Sequence, residues 1–219
     1  MKITRRFVAV AAALIAACAA GSASAQIVQN GGFESPAVAP APFETSPPQP
    51  IADWTVTAGS VDLIDGYWQA HSGSQSIDLN GNEPGTLTQT ISLDTGQLYL
   101  LTFWVSGNPD GPPALKTFDF SVTNTTSLTP ANGNFLVVSP PQSRANMNWQ
   151  ERDWLFLANS GTHTLVFQST TPGPYGPALD DVGVTLVPEP ETYAMLLAGM
   201  GLIGFIARRR RSYRSAAAA

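Results

Sequence analysis

Several stretches of this 219-residue chain set aromatic rings beside short polar side chains, a combination able to hold a sugar. Tyr67 and Trp68 stand together, with Gln69 and His71 just behind them. Trp104 is followed by Asn108 and Asp110, and Tyr175 sits inside the loop Gly173-Pro174-Tyr175-Gly176-Pro177. A pyranose face presents C–H groups that pack on a ring, while Asp, Asn and Gln take up its hydroxyls. Backbone rich in Gly and Pro can approach such a ligand closely. The candidate binding set is therefore Trp104, Trp68, Tyr67, Tyr175, Asn108 and Asp110, with Asp78 as a further polar partner. The same rings also suit core packing or a loop plug, and Trp149 and Trp154 fit either role.

Signals for catalysis are missing. The chain has no Gly-x-Ser-x-Gly elbow, no His-Glu-x-x-His and no Gly-rich phosphate loop. Its two histidines, His71 and His163, lack metal-ligand spacing, and His163 reads as a surface residue with its hydrogen bonds satisfied. Carboxylate pairs such as Asp62/Asp65 and Asp180/Asp181 would serve a glycosidase only if they flanked a cleft. The expectation is a non-enzyme, with a small glycan-active hydrolase as an alternative.

Strands must position these groups. In 99–105, Tyr99, Leu101, Phe103 and Val105 fall on one face, and Leu100, Thr102 and Trp104 on the other. If the first set faces the core, Trp104 faces out. Similar segments are 54–64, 75–79, 86–93, 116–123, 135–139, 149–157, 162–169 and 178–187, divided by turn residues such as Asn80-Gly81-Asn82 and Asn159-Ser160-Gly161. No part of the domain has helical periodicity. Many short strands at regular spacing predict an all-β fold, an antiparallel β-sandwich. Residues 35–50 hold Pro36, Pro40, Pro42, Pro47, Pro48 and Pro50 and read as a long extended loop, not a strand.

Both ends of the chain read as targeting segments. Residues 1–25 have a basic start (Lys2, Arg5, Arg6), an apolar stretch and Ala23-Ser24-Ala25, a signal-peptide pattern that starts the mature chain at Gln26. Two rival readings are a lipobox ending at Cys18 and a twin-arginine signal around Arg5-Arg6. Residues 188–219 open with Pro188-Glu189-Pro190, continue with an apolar run at 193–207 and reach four arginines, Arg208, Arg209, Arg210 and Arg211. A helical run of that length is about 22 Å long, short for a bilayer core of roughly 30 Å, and snorkelling arginines can cover the gap. Arginines also favour the cytoplasmic side.

Between these ends lie residues 26–187, one domain with three basic residues against fourteen acidic, a net charge of −11. Nucleic acid needs clustered Lys and Arg, so this domain is not expected to bind it. Cleavage after Ala25 would remove Cys18, the only cysteine, and leave stability to packing.

The tail, from Val187 through the arginines, closely resembles the PEP-CTERM sorting signal of exported proteins in Gram-negative bacteria. That resemblance implies recognition by an exosortase, membrane contact through the C-terminal segment before processing, and placement at the cell envelope, outer surface or extracellular matrix of a Gram-negative bacterium that makes exopolysaccharide. Within the domain, Asn30-Gly31-Gly32-Phe33-Glu34, Asp53-Trp54, the 99–103 strand and Ala178-Leu179-Asp180-Asp181-Val182 resemble galactose-binding-like jelly rolls. More closely, the stretches 54–64, 67–70, 76–81, 107–111 and 173–182 are similar to the choice-of-anchor C domain, which occurs with interchangeable C-terminal anchors. The resemblance implies a jelly roll, a buried Trp54, and a structural Ca²⁺ where Glu34 and Asp180 meet, with backbone carbonyls completing the oxygen shell. Solvated carboxylates, or pairs with Lys or Arg, are the other reading of those two residues. The function expected is a non-catalytic module that binds exopolysaccharide or another glycan. A structural matrix protein making protein contacts is the alternative.

Overall fold

The computed structural model describes residues 26–38, 51–128, 143–188 and 197–204 in full, and 42–45 and 136–138 as backbone. The strands there are β1 (Pro42–Thr45), β2 (Thr55–Ala58), β3 (Val61–Asp65), β4 (Gln75–Asp78), β5 (Thr86–Ser92), β6 (Leu98–Gly107), β7 (Lys116–Val122), β8 (Thr125–Ser127), β9 (Leu136–Val138), β10 (Gln150–Ala158), β11 (Thr162–Ser169) and β12 (Pro177–Leu186). They form a seven-stranded sheet, β1-β3-β4-β12-β6-β10-β8, and a five-stranded sheet, β2-β5-β11-β7-β9. The pairings among these strands are antiparallel, so the domain is the expected all-β sandwich of jelly-roll type.

Alternation explains how the sheets face each other. On β6, Tyr99, Leu101, Phe103 and Val105 are buried, while Leu100, Thr102 and Trp104 are half-buried on the opposite face. Phe103 meets Phe120 and Phe167 of the other sheet edge-on, each at 5.1 Å between centroids. Trp54 and Trp154 are buried in the same core, which settles both as packing residues. Burying side chains of this size contributes about 1.5–3 kcal/mol each.

Three expectations are corrected. The proline-rich stretch 35–50 carries β1, whose Pro42–Thr45 pairs with β3 at the sheet edge. An edge strand can begin with proline, because proline's missing N–H leaves no ladder partner unsatisfied. The stretch 54–64 is two strands in different sheets, because Gly59 (φ +59°) turns the chain from β2 to β3. His163 is buried, not on the surface: it is in phase with Leu165 and Phe167, and its ring nitrogens meet the carbonyls of Thr123 (2.7 Å) and Ser160 (2.8 Å).

The signal segment 1–25, with Cys18 and the twin arginines, lies outside the described residues, as do Glu189, Pro190 and Arg208–Arg211. Within the apolar tail, 197–204 is helical with Leu197, Met200, Leu202 and Ile203 exposed. Among the described residues no helix is long and apolar enough to cross a membrane.

Replacing Phe103 with Ala should lower unfolding free energy by about 3–5 kcal/mol, the usual cost of emptying a buried aromatic site. Trp104→Ala should lower it much less. Urea unfolding of both variants checks the faces of β6, and equal losses would invert the assignment.

Candidate functional site

The β3–β4, β6–β7 and β11–β12 loops close over one end of the larger sheet and leave a cleft of about 290 Å³. Its wall includes Tyr67, Trp68, Asn108, Asp110 and Tyr175, joined by Asp62, Asp78 and Asn82. Five of the six candidate binding residues, drawn from segments far apart in sequence, therefore meet. Strand order is the reason. β12 lies between β4 and β6, so Ala178 is opposite both Asp78 and Ser106, and the loops beside these residues become neighbours.

A hydrogen-bonded chain ties the cleft together. The Arg144 guanidinium lies 4.0 Å from the Tyr67 ring centroid and donates to the Tyr67 hydroxyl. Its Nε donates to Asp110 Oδ1 at 2.8 Å. The Asp110 amide donates to Asn108 Oδ1 at 2.9 Å, and Asn108 Nδ2 donates to Asp78 Oδ2 at 2.7 Å. Asp78 Oδ1 accepts the amides of Asn80 (2.9 Å) and Gly176 (3.1 Å). Gly176 has no room for a side chain, since a Cβ there would stand 2.3 Å from Asn80 Oδ1 and 2.5 Å from Asp78 Oδ1. Tyr175 rests on Gly111, where a Cβ would come within 2.3 Å of the ring. Behind this pair, buried Lys116 donates to the Gly111 carbonyl at 2.8 Å, and burial pulls its pKa down.

The residues are not equivalent. Trp68 is a wall: it is 4% exposed, donates its indole N–H to Ser76 Oγ at 2.8 Å, and packs with Ile64, Met147 and Ala178. Both tyrosines are half-buried, with the Arg144 guanidinium 4.0 Å from the Tyr67 ring centroid and Lys116 Nζ 5.9 Å from that of Tyr175. Asp78 is buried, and burial, reinforced by the charge of Asp62 opposite it on β3, raises its pKa to about 8.

Trp104 belongs to a different place. It lies on the outer face of the sheet, stacked on His71 with centroids 3.8 Å apart and planes within 15°. Trp149 meets the same imidazole edge-on and donates its N–H to the Gln69 carbonyl at 3.0 Å. Asp181 contacts His71 Nδ1 and accepts from Ser72 Oγ at 2.7 Å. One face of Trp104 is thus taken by the protein itself.

Glu34 and Asp180 both grip the loop 71–75. Glu34 accepts the amides of Ser74 and Gln75, each at 2.9 Å, and the Ser74 hydroxyl at 3.0 Å. Asp180 accepts the amides of His71 (2.9 Å), Ser72 (3.3 Å) and Asp181 (2.8 Å). Asp181, at a positive φ of 48° beside a register shift in β12, holds the side chains of the same His71 and Ser72. Two carboxylates on one loop are the right donor type for calcium. Asp180 is also a buried acid whose pKa is raised to about 8 by burial and then by Asp181. No Lys or Arg pairs with either acid among the described residues, and no group of three metal-binding side chains forms there.

Arg144 and Asn82 escaped sequence reasoning, and Asp62 entered it only as a possible catalytic partner of Asp65. Arg144 had one signal, being among only three basic residues in the domain. The other two depend on register and loop closure.

A jelly roll with a loop-lined cleft at one end, followed by a short apolar tail, defines the class of protein. The chain belongs to the family described as protein of unknown function DUF642, which matches residues 26–185, and the PEP-CTERM protein-sorting motif matches residues 186–211. That pairing of domain and anchor agrees with the resemblance seen in the sequence, and the motif marks an exported protein sorted to the cell surface. Halomucin of Haloquadratum walsbyi is 32% identical over 185 residues, 78% of this chain, and the chain spans 2% of its length. Among solved structures, TmCBM61 in complex with beta-1,4-galactotriose is 16% identical, with 75% of this chain and all of that one covered and a TM-score of 0.45. The CBM22-1 xylan-binding domain from Paenibacillus barcinonensis Xyn10C is also 16% identical, covering 62% of this chain and 86% of that one, with a TM-score of 0.42.

The state of Asp78 gives a pH signature. Its pKa is 3.8 when unperturbed, as in the unfolded chain, and about 8 in the fold, so ionisation favours unfolding. The stability it contributes is complete below pH 3.8 and is lost as pH rises to about 8. Asp78→Asn cannot ionise and should show a shallower fall in melting temperature across that window, whatever its absolute stability. An unchanged slope would mean that Asp78 titrates as an ordinary carboxylate.

Proposed function

We propose that this chain is an exported module, sorted by an exosortase through its tail, that binds exopolysaccharide or another glycan without cleaving it. The convergence of Tyr67, Asn108, Asp110 and Tyr175 on one cleft carries the reading. An aromatic face beside fixed carboxylates and carboxamides is what a sugar ring needs, and the Arg144–Asp110–Asn108–Asp78 chain holds those groups in place before a ligand arrives. Asp78 has the pKa of a general acid, but protein donors take both its oxygens and it is buried, so it does not reach a glycosidic oxygen. That favours binding over hydrolysis.

Tyr175→Ala in the full chain should abolish most retention on the host's exopolysaccharide, with little change in melting temperature. Trp104→Ala should leave that retention intact, because Trp104 lies outside the cleft. Turnover of the polysaccharide would replace this reading with a hydrolase. Absence of retention by the unmodified chain would favour a structural protein that contacts other proteins.

The tail is proposed to set location. Deleting residues 188–219 should move the folded domain from the cell envelope to the medium, as fractionation would show. Continued envelope retention would refute the role given to the tail.

Calcium is proposed at Glu34 and Asp180 as a structural ion. An ion bound only by the native state adds RT ln(1 + [L]/Kd), about 2.7 kcal/mol at a hundredfold excess over Kd. Chelator should lower the melting temperature, and Asp180→Ala should remove most of that sensitivity. A melting curve indifferent to both calcium and chelator would leave the two acids as direct clamps on the 71–75 loop.

A further inference from the structure

We propose that the cleft selects glycans lacking anionic groups, taking neutral or amino sugars and rejecting uronate, sulfate or pyruvate substituents. The inference rests on the glycan-binding reading above and concerns the same cleft. Among the described residues its lining contains Asp62, Asp78 and Asp110 but no Lys, Arg or His. Two cations lie nearby, and both are committed. Arg144 is held by Asp110 and by the Tyr67 hydroxyl and ring. Lys116 is 2% exposed and donates to the Gly111 carbonyl behind Tyr175. An anionic sugar entering the cleft would lose water and meet no cation in the lining, and Arg144, half exposed at the rim, already faces Asp110, so the lost hydration is poorly repaid.

The protein's own carboxyl reports on that environment. Asp78 receives hydrogen bonds from Asn108, Asn80 and Gly176, yet burial still outweighs them and holds the group neutral at ordinary pH. A ligand carboxylate in the same place would have fewer donors and the added repulsion of Asp62. The domain's net charge of −11 acts in the same direction at longer range and is screened by salt. Sugar hydroxyls can instead donate to the oxygens of Asp62, Asp110, Asn82 and Asn108, and an ammonium group would meet unlike charge.

The test compares matched polysaccharides, neutral, amino-sugar and uronate, by affinity electrophoresis with the full chain in a zwitterionic detergent. Neutral and amino-sugar polymers should be retained, and the uronate polymer should bind at least ~10-fold more weakly, since an unpaired like charge at close range readily costs that factor. Asp62→Asn should narrow the gap. If that variant misfolds, raising NaCl to about 0.5 M, where the Debye length is a few ångströms, should narrow it in the unmodified chain. Equal or tighter retention of the uronate polymer, lost in Tyr175→Ala, would overturn the selectivity while keeping the glycan cleft. A gap indifferent to both Asp62→Asn and salt would also overturn it. No retention of any polymer would remove the glycan reading, and this inference with it.

Discussion

The placement of β12 between β4 and β6 is the constraint on which the rest depends. The last strand of the domain enters the middle of the seven-stranded sheet, with Pro177 opposite Gly107 and Leu186 opposite Tyr99. Central strands must satisfy ladder hydrogen bonds on both sides, so their register is strongly fixed. That register seats Tyr175 and Gly176 over Asn108 and Asp78 at one end of the strand. A few residues later it sets Asp180 against the 71–75 loop, while the neighbouring Val182 amide reaches the Gly31 carbonyl at 2.9 Å. The candidate cleft and the clamp on the first motif of the domain are two consequences of one pairing.

Each consequence includes a buried carboxyl. Asp78 and Asp180 are nearly inaccessible and both are shifted to about 8, chiefly by loss of water. Such groups weaken a fold unless hydrogen bonds or a cation compensate. Here backbone amides from separate loops converge on them, so each acid fixes the relative position of segments distant in sequence. Asp78 joins the Asn80 and Gly176 amides, and Asp180 joins those of His71, Ser72 and Asp181. Order in the loops and a cost to stability are two sides of the same arrangement.

The two aromatic clusters illustrate how the sandwich divides its surface. Tyr67 and Tyr175 border a cleft at the end of the sheet, where loops supply polar groups. Trp104, Trp149 and His71 cover the outer face beside the 71–75 loop, where stacking protects a strand that would otherwise expose a large ring. Residues of one chemical type thus take different roles because strand alternation and loop closure aim them differently.

Much of this was legible in the sequence. Period-two alternation gave the faces of β6 and the buried Phe103, because apolar burial and strand pleat leave one consistent phase. The sorting tail was readable because its parts are contiguous and compositional. The candidate residues Tyr67, Asn108, Asp110 and Tyr175 were marked by side-chain type and by loops rich in Gly and Pro. Tertiary structure alone decided that they share a cleft, that Trp104 does not, that Asp62 faces Asp78, and that Arg144 closes one side. It also placed β1 within the proline-rich stretch. These outcomes follow from strand order, register and long-range loop contacts, which are set by the total burial and hydrogen bonding of the whole fold. No local pattern encodes them, since the residues concerned lie tens of positions apart in the chain.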